Sequence, residues 1–326
     1  MPSRFAIAAI FAIFLATSLN YAQIISDVVG LNATINDGYG GWSECGVDGE
    51  VYRHTSGHVN SIMRVSPDGS TLIFALPDET WPAAIAPAGA GLNILTLHVS
   101  IKGGRIYEMY KFDHQANLLT HHPVHMTFSP ERMAVTSSGK TIVVGHHPED
   151  MSQKEDWRYG GAILDADDQL TRGFDLPLPP GGGGWTFASL QMAGGDGVAY
   201  VILHSNTPPQ TAIATIAETG NGILKIKVIP VPEDGDQRHH NRWQFGPGVA
   251  VEEYVLPGER PRVFSRFDEY DLTTGEKVAS KSAVPSGFQP GCYLGDRVSM
   301  LAHSYHVDPA RGLPPETLRL VTVKLQ

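Results

Sequence analysis

The stretch MRVSPDGSTLIFALP, residues 63–77, contains the pattern that decides the fold of this chain. Two apolar runs flank the turn Pro67-Asp68-Gly69, and glycine accepts the positive φ that a tight hairpin turn demands. The stretch therefore predicts two antiparallel strands joined by a hairpin. Related stretches occur at residues 110–119, 162–170, 223–230, 270–278 and 318–324.

A second kind of stretch precedes each of these hairpins, and it consists of a Gly-containing turn followed by a run rich in β-branched residues. Its copies occupy residues 46–52, 90–97, 138–144, 196–202, 247–251 and 295–301. Each unit thus supplies about four short strands, and the units recur about every 40 to 60 residues, a spacing typical of propeller blades. We predict an all-β, six-bladed β-propeller, with seven blades as the alternative.

The composition argues against other fold classes. Charged residues make up only 18% of the chain, whereas Gly (35) and Pro (23) are abundant, as expected for many strands and turns. A β-sandwich requires fewer strands and no such period. A parallel α/β fold requires helices between the strands, and the sequence has no helical periodicity of useful length.

The first 22 residues have the layout of an export signal. Arg4 supplies a positive charge, residues 5–15 form an apolar run too short to span a bilayer, and small or polar residues lead to Ala22. We predict a signal peptide over residues 1–22 and a single propeller domain over 23–326, secreted or periplasmic after cleavage. Cleavage after Ser18 and an uncleaved anchor are the alternatives.

The formal net charge of −10 is spread along the chain without blocks. Nucleic acids and anionic membrane surfaces attract proteins through basic patches, and the sequence contains none. We therefore expect neither nucleic acid nor, after signal cleavage, a membrane among the partners. The charge mainly favours solubility.

The two cysteines lie near opposite ends of the chain, just before the Gly turns of the first and last units, which are neighbours in a closed ring. Because an exported protein usually oxidises such a pair, we predict a disulfide between Cys45 and Cys292, with two buried free thiols as the alternative. Residues 24–34 form a lone strand ahead of the first unit, and residues 318–324 form the last strand. Pairing these two strands would close the ring and cover an open edge.

The units resemble those of NHL-type and gluconolactonase-like six-bladed propellers. The stretches that carry the resemblance are residues 48–52, 64–69 and 163–170. Over nearly the whole mature chain, the sequence is also similar to exported bacterial propellers of unknown function. The resemblance implies a fold rather than an activity, because such propellers include lactonases, lyases and scaffold domains.

One regularity concerns histidines seven residues after the turn glycine. The pairs with this spacing are Gly91 and His98, Gly139 and His146, and Gly197 and His204. His303 follows Gly295 by eight residues, and His54 occupies the same strand of the first unit. Equivalent positions in successive blades would bring these imidazoles to one face, where they could act as acid and base. The alternative is that each imidazole is a strand-end residue bonded to a backbone carbonyl.

Three long insertions, residues 146–159, 177–185 and 232–243, are rich in Gly, Pro, His and Trp, and long loops on a rigid scaffold often carry function. The candidate catalytic residues are His146, His204, His303 and Arg158. The candidate ligand-binding residues are His98, His147, Tyr159, Trp185, His240 and Trp243. For the tryptophans, the alternative is that each fills a gap between blades.

The sequence assigns no metal site, because it lacks HxH, HExxH and CxxC spacings, and it identifies no cofactor. Two functions remain open. The first is a binding module outside the cytoplasm that recognises a small molecule, a carbohydrate or a protein on the long-loop face. The second is a lyase or hydrolase that uses the histidines of that face. A purely structural role is the remaining possibility.

Overall fold

A computed structural model describes most of the chain outside the N-terminal segment. The described residues are 25–35, 43–46, 48–55, 60–89, 91–99, 104–147, 158–177, 186–194, 197–207, 209–218, 223–232, 242–256, 264–285, 289–304 and 316–325. The chain forms six four-stranded antiparallel sheets in a ring, a six-bladed β-propeller, as the sequence predicts. The predicted signal peptide, residues 1–22, lies outside the described residues.

The first three blades each consist of four strands that follow one another in sequence from the central channel outwards. Blade 1 contains β2 (Ser43–Cys45), β3 (Val51–Thr55), β4 (Ser61–Val65) and β5 (Thr71–Ala75). Blade 2 contains β6 (Trp81–Ala88), β7 (Gly91–Val99), β8 (Arg105–Asp113) and β9 (Leu118–Val124). Blade 3 contains β10 (Ser129–Val135), β11 (Thr141–His147), β12 (Arg158–Leu164) and β13 (Leu170–Asp175).

The next two blades repeat this order, and the last blade combines strands from both ends of the chain. Blade 4 contains β14 (Thr186–Gly194), β15 (Val198–Thr207), β16 (Pro209–Glu218) and β17 (Leu224–Val231). Blade 5 contains β18 (Arg242–Gly246), β19 (Val249–Leu256), β20 (Phe264–Asp271) and β21 (Lys277–Pro285). Blade 6 contains β22 (Gln289–Tyr293), β23 (Arg297–Ser304), β24 (Glu316–Lys324) and β1 (Ile25–Ile35).

A glycine with positive φ lies in the turn between the first and second strands of every blade. These glycines are Gly49 (83°), Gly91 (148°), Gly139 (79°), Gly197 (65°), Gly248 (73°) and Gly295 (90°). Other residues adopt such φ values only with strain, so the recurring glycine is a direct sign of the repeated hairpin. The predicted repeat is therefore confirmed at the level of the backbone.

Apolar side chains pack between neighbouring blades, because successive residues of a strand point to opposite faces of the sheet. Phe74 of blade 1 meets Phe112 of blade 2 edge-on, with ring centroids 5.6 Å apart. Similar clusters lie between blades 2 and 3, 3 and 4, 4 and 5, and 5 and 6. Each large aliphatic side chain buried this way contributes about 1.5–3 kcal/mol.

The inner strands approach one another too closely for larger residues at two points. A Cβ atom added to Gly194 of blade 4 would lie 2.0 Å from the carbonyl oxygen of Val135 in blade 3. One added to Gly246 of blade 5 would lie 2.6 Å from the ring of Tyr293 in blade 6. Glycine at these positions sets how tightly the strands surround the channel.

The ring is closed in two ways, and both were predicted from sequence. Strand β1 pairs antiparallel with β24, with Val28 opposite Val321, so the N-terminal strand completes the last blade. Cys45 on the inner strand of blade 1 and Cys292 on that of blade 6 form a disulfide with a Cα–Cα distance of 5.4 Å. Among the described residues, no helix has the length and apolar character needed to cross a bilayer.

We expect removal of the disulfide to destabilise the ring. The bridge joins residues separated by 247 positions, and the loop-entropy relation gives an upper limit of about 5 kcal/mol for such a crosslink. The double variant C45A/C292A should lose about 2–4 kcal/mol of unfolding free energy, measured by urea denaturation. Reduced wild-type protein is the control, and an unchanged midpoint in both samples would contradict the prediction.

Candidate functional site

A central cavity of about 520 Å³ lies where the inner strands of all six blades meet. Its lining consists of residues of each inner strand, in most blades from the later part of that strand, and of residues of the turn that follows it. The contributing segments are residues 44–46, 85–89, 133–137, 192–194, 243–248 and 293–294. The cavity therefore lies towards the end of the channel where the Gly turns are found.

The lining is chiefly apolar and contains one charged side chain, that of Glu44, among the residues described. Glu44 of blade 1 forms an ion pair with Arg132 of blade 3, with Oε1 3.2 Å from Nε. Because blade 2 separates these blades in the ring, the pair reaches across the channel. Arg132 immediately precedes the lining residues of β10, so the pair lies near the inner end of the cavity.

Three histidines of the predicted cluster have hydrogen-bond partners within or beside their own blades. His98 Nδ1 is 3.2 Å from the carbonyl oxygen of Glu79, a strand-end contact of the kind considered as the alternative. His146 Nδ1 is 2.5 Å from Glu131 Oε1. His204 Nδ1 is 2.8 Å from Thr211 Oγ1. Each of these contacts joins a ring to a partner in or directly beside its own blade.

The strand alternation directs these imidazoles to different gaps between blades. His98 shares a strand face with Ile94, which packs between blades 1 and 2. His146 shares a face with Val144, which packs between blades 3 and 4. His204 shares a face with Ile202, which packs between blades 4 and 5. His303 lies opposite Leu318 in β23, and its side chain is outside the described part.

The described residues contain no group of three or more His, Cys, Asp or Glu side chains arranged to hold a metal ion. The histidines lie at the end of the second strands remote from the Gly turns, and so at the other end of the channel from the cavity. Because the side chain of His303 is outside the described part, convergence of His146, His204 and His303 on one site stays a prediction.

Two residues assigned to loops from the sequence are buried strand residues, which corrects that placement. Tyr159 lies in β12 and is 5% exposed in the cluster between blades 3 and 4, where burial raises the pKa of its phenol. Trp243 lies in β18, is 3% exposed, and packs on Tyr270 at a centroid distance of 5.3 Å. Both aromatic rings fill gaps between blades because those gaps bury the most apolar area.

Two other candidates lie in blade 3, where His147 of β11 is opposite Arg158 of β12. His147 packs against Phe128 with centroids 5.6 Å apart. Arg158 is exposed and lies 3.9 Å from Asp175, a surface ion pair of little energetic weight. Trp185 and His240 lie outside the described residues, so their predicted ligand-binding role is untouched by these contacts.

Sequence reasoning missed a buried polar network in blade 5. The Tyr270 hydroxyl donates a 2.9 Å hydrogen bond to Glu252 Oε2, and Glu252 is only 5% exposed. Burial raises the pKa of the Glu252 carboxyl above its usual range. Asp268, which is fully buried, accepts bonds from Arg266 Nη2 at 2.9 Å and Lys277 Nζ at 2.7 Å.

This network faces the same gap as His204. Tyr270 packs with Ile202 between blades 4 and 5, and Glu252 lies beside the Tyr270 hydroxyl. Ile202 and His204 share a strand face, so an imidazole and a buried carboxyl belong to one interface. The sequence does contain a sign of this network. Glu252 and Asp268 lie in the middle of β19 and β20, where apolar residues are expected in a buried strand.

Comparisons with known proteins agree on the fold. No sequence family matches the chain, and no curated protein does either. A solved protein of unknown function from Dyadobacter fermentans DSM 18053 is 10% identical, with a TM-score of 0.52, covering 93% of this chain and 99% of that chain. At this identity the likeness supports the fold alone.

Two further solved structures have lower TM-scores. A subtype N10 neuraminidase-like protein of A/little yellow-shouldered bat/Guatemala/060/2010 is 9% identical, with a TM-score of 0.46, over 93% of this chain and 99% of that chain. A putative 6-phosphogluconolactonase from Bacteroides fragilis NCTC 9343 is 11% identical, with a TM-score of 0.39, over 83% of this chain and 94% of that chain. The narrower resemblance to NHL-type propellers has no matching sequence family behind it.

We expect the buried Glu252 to make the fold less stable as the pH rises. A carboxyl whose pKa is raised on folding holds its proton more tightly in the folded state. The unfolding free energy therefore declines as the pH rises above 4.5, the usual pKa of a glutamate. The variant Glu252→Gln mimics the protonated form. The difference between its unfolding free energy and that of wild type should increase with pH by at most about 1.4 kcal/mol per pH unit. Urea denaturation between pH 4 and 8 measures the difference, with the exposed Glu276→Gln as control. A constant difference would contradict the prediction.

Proposed function

We propose that this chain is an extracytoplasmic binding module that takes a small molecule into its central cavity. The observation that carries the proposal is the cavity itself, which measures about 520 Å³ and is lined by the inner strands of six blades. Ligand sites in proteins commonly occupy about 300–1,000 Å³ and combine a chiefly apolar lining with a few polar groups. The lining described above has this composition.

The location outside the cytoplasm is supported by two features. The disulfide between Cys45 and Cys292 is of a kind that persists in oxidising compartments. The segment over residues 1–22 has the charge and apolar run of an export signal. Both are consistent with a rigid receptor that works outside the cell membrane.

A rigid ring favours binding because little conformational entropy is lost when a ligand enters. The cavity wall consists of inner strands, each held by the outer strands of its blade. The disulfide joins blade 1 to blade 6, where the ring closes. Glu44 and Arg132 neutralise each other beside the cavity. The site therefore suits an uncharged ligand better than an ion.

A second candidate is a lyase or hydrolase, and the gap between blades 4 and 5 favours it. Buried carboxyls with raised pKa values often act as general acids, and His204 faces the same gap as Glu252. This function predicts turnover of ester, lactone or 2-hydroxy acid substrates that is lost in both His204→Ala and Glu252→Gln. Turnover that survives both changes would exclude this gap as the active site.

We predict that a bulky residue in the cavity lining weakens ligand binding. Ser137 is exposed and lines the cavity, whereas its exposed neighbour Ser138 does not line it. Ser137→Trp should weaken binding of neutral sugars at least about tenfold, and Ser138→Trp should leave it unchanged. Calorimetry with glucose, N-acetylglucosamine and maltose measures the effect. Equal affinities for the two variants would place the ligand elsewhere.

A further inference from the structure

The disulfide that closes the ring has one end in the wall of the central cavity and the other end buried. Cys45 is partly exposed and is one of the residues that line the cavity. Cys292 is 1% exposed and is not among the lining residues. A small molecule in the cavity would therefore meet the bridge from the side of Cys45.

The buried end of the bridge has a hydrogen-bond acceptor beside it. Cys292 Sγ of blade 6 lies 3.3 Å from the carbonyl oxygen of Glu50, which belongs to blade 1 on the other side of the seam. A disulfide sulfur carries no proton, whereas a cysteine thiol is a weak donor. This contact therefore suits Cys292 in its reduced form and would stabilise it as the leaving group of the bridge.

We propose that Cys45 is a site of thiol–disulfide exchange, and that its reaction partner is a small thiol that enters the central cavity. The thiolate of that compound attacks Cys45 Sγ and forms a new S–S bond, while the bond to Cys292 breaks and its electron pair stays on Cys292 Sγ. Cys292 then takes up one proton, which balances the proton that the small thiol lost. A second molecule of thiol attacks the mixed disulfide and releases Cys45, so two thiols are oxidised to one disulfide for each bridge reduced.

The size and charge of the cavity select small thiols as reductants. A volume of about 520 Å³ accommodates compounds such as 2-mercaptoethanol and cysteamine, and a folded protein reductant is too large to follow them. Glu44, the residue before Cys45, would repel an approaching thiolate if its charge were unpaired. Its Oε1 lies 3.2 Å from Arg132 Nε, so the attacking anion meets a neutralised pair.

Exchange at Cys45 would also change the cavity itself. The bridge joins the inner strands of blades 1 and 6, and these strands supply or adjoin the lining segments 44–46 and 293–294. Reduction would loosen these two segments relative to each other and so couple the redox state of the surroundings to the shape of the cavity. The inference goes beyond the proposed function and holds whether or not the cavity binds a sugar.

The test treats folded, oxidised protein with 2-mercaptoethanol, stops the reaction with acid and locates the adduct by peptide mass spectrometry. We expect the adduct on Cys45 and a free thiol on Cys292, at a rate proportional to the thiol concentration. Low urea concentrations, below the unfolding transition, should leave this rate unchanged, because the native cavity admits the thiol. An adduct on Cys292, a rate that rises steeply with urea, or no reaction of the folded protein would overturn the inference.

A matched pair of variants tests the route of entry. Ser137 and Ser138 are both exposed, and Ser137 lines the cavity whereas Ser138 does not. Ser137→Trp should slow the reaction at least about tenfold, because exchange depends on access to the sulfur, and Ser138→Trp should react as wild type does. Equal rates in the two folded variants would overturn the inference. If Ser137→Trp does not fold, labelling of single thiols with methyl methanethiosulfonate decides: Cys292→Ala should react faster than Cys45→Ala, and the reverse order would contradict the proposal.

Discussion

Burial of each blade against its two neighbours is the interaction on which this ring depends. A four-stranded sheet has two apolar faces, and a linear array of six sheets would leave the outer face of the first and last exposed. Pairing of β1 with β24 and the bond from Cys45 to Cys292 join those two blades. The seam therefore determines whether the other five interfaces can persist together.

The same closure creates the cavity. Six inner strands end around one axis, and Gly194 and Gly246 permit the close approach of their neighbours. Because these strands are held by outer strands and by the disulfide, the polar groups beside the cavity have fixed positions.

Buried polar groups are concentrated at blade interfaces. His146 meets Glu131, Glu252 meets Tyr270, and Asp268 meets Arg266 and Lys277. Such contacts satisfy each group locally and give the otherwise similar apolar faces distinct partners. The candidate acid–base residues His204 and Glu252 belong to the gap between blades 4 and 5 and do not line the cavity. Binding and catalysis are therefore hypotheses about different parts of the ring.

The sequence by itself determined the hairpins and predicted the closing strand, a ring of about six blades and the cysteine pairing, and the structure confirms all of them. These features depend on local turn chemistry and on a repeated order, as the recurring positive-φ glycines show. Only the tertiary structure decided which side chains meet. An offset of seven residues locates His98, His146 and His204 on equivalent strands, but the apolar residues that share their strand faces pack in three different gaps between blades. Burial of Trp243 depends on the neighbouring blade, whose proximity no local pattern encodes.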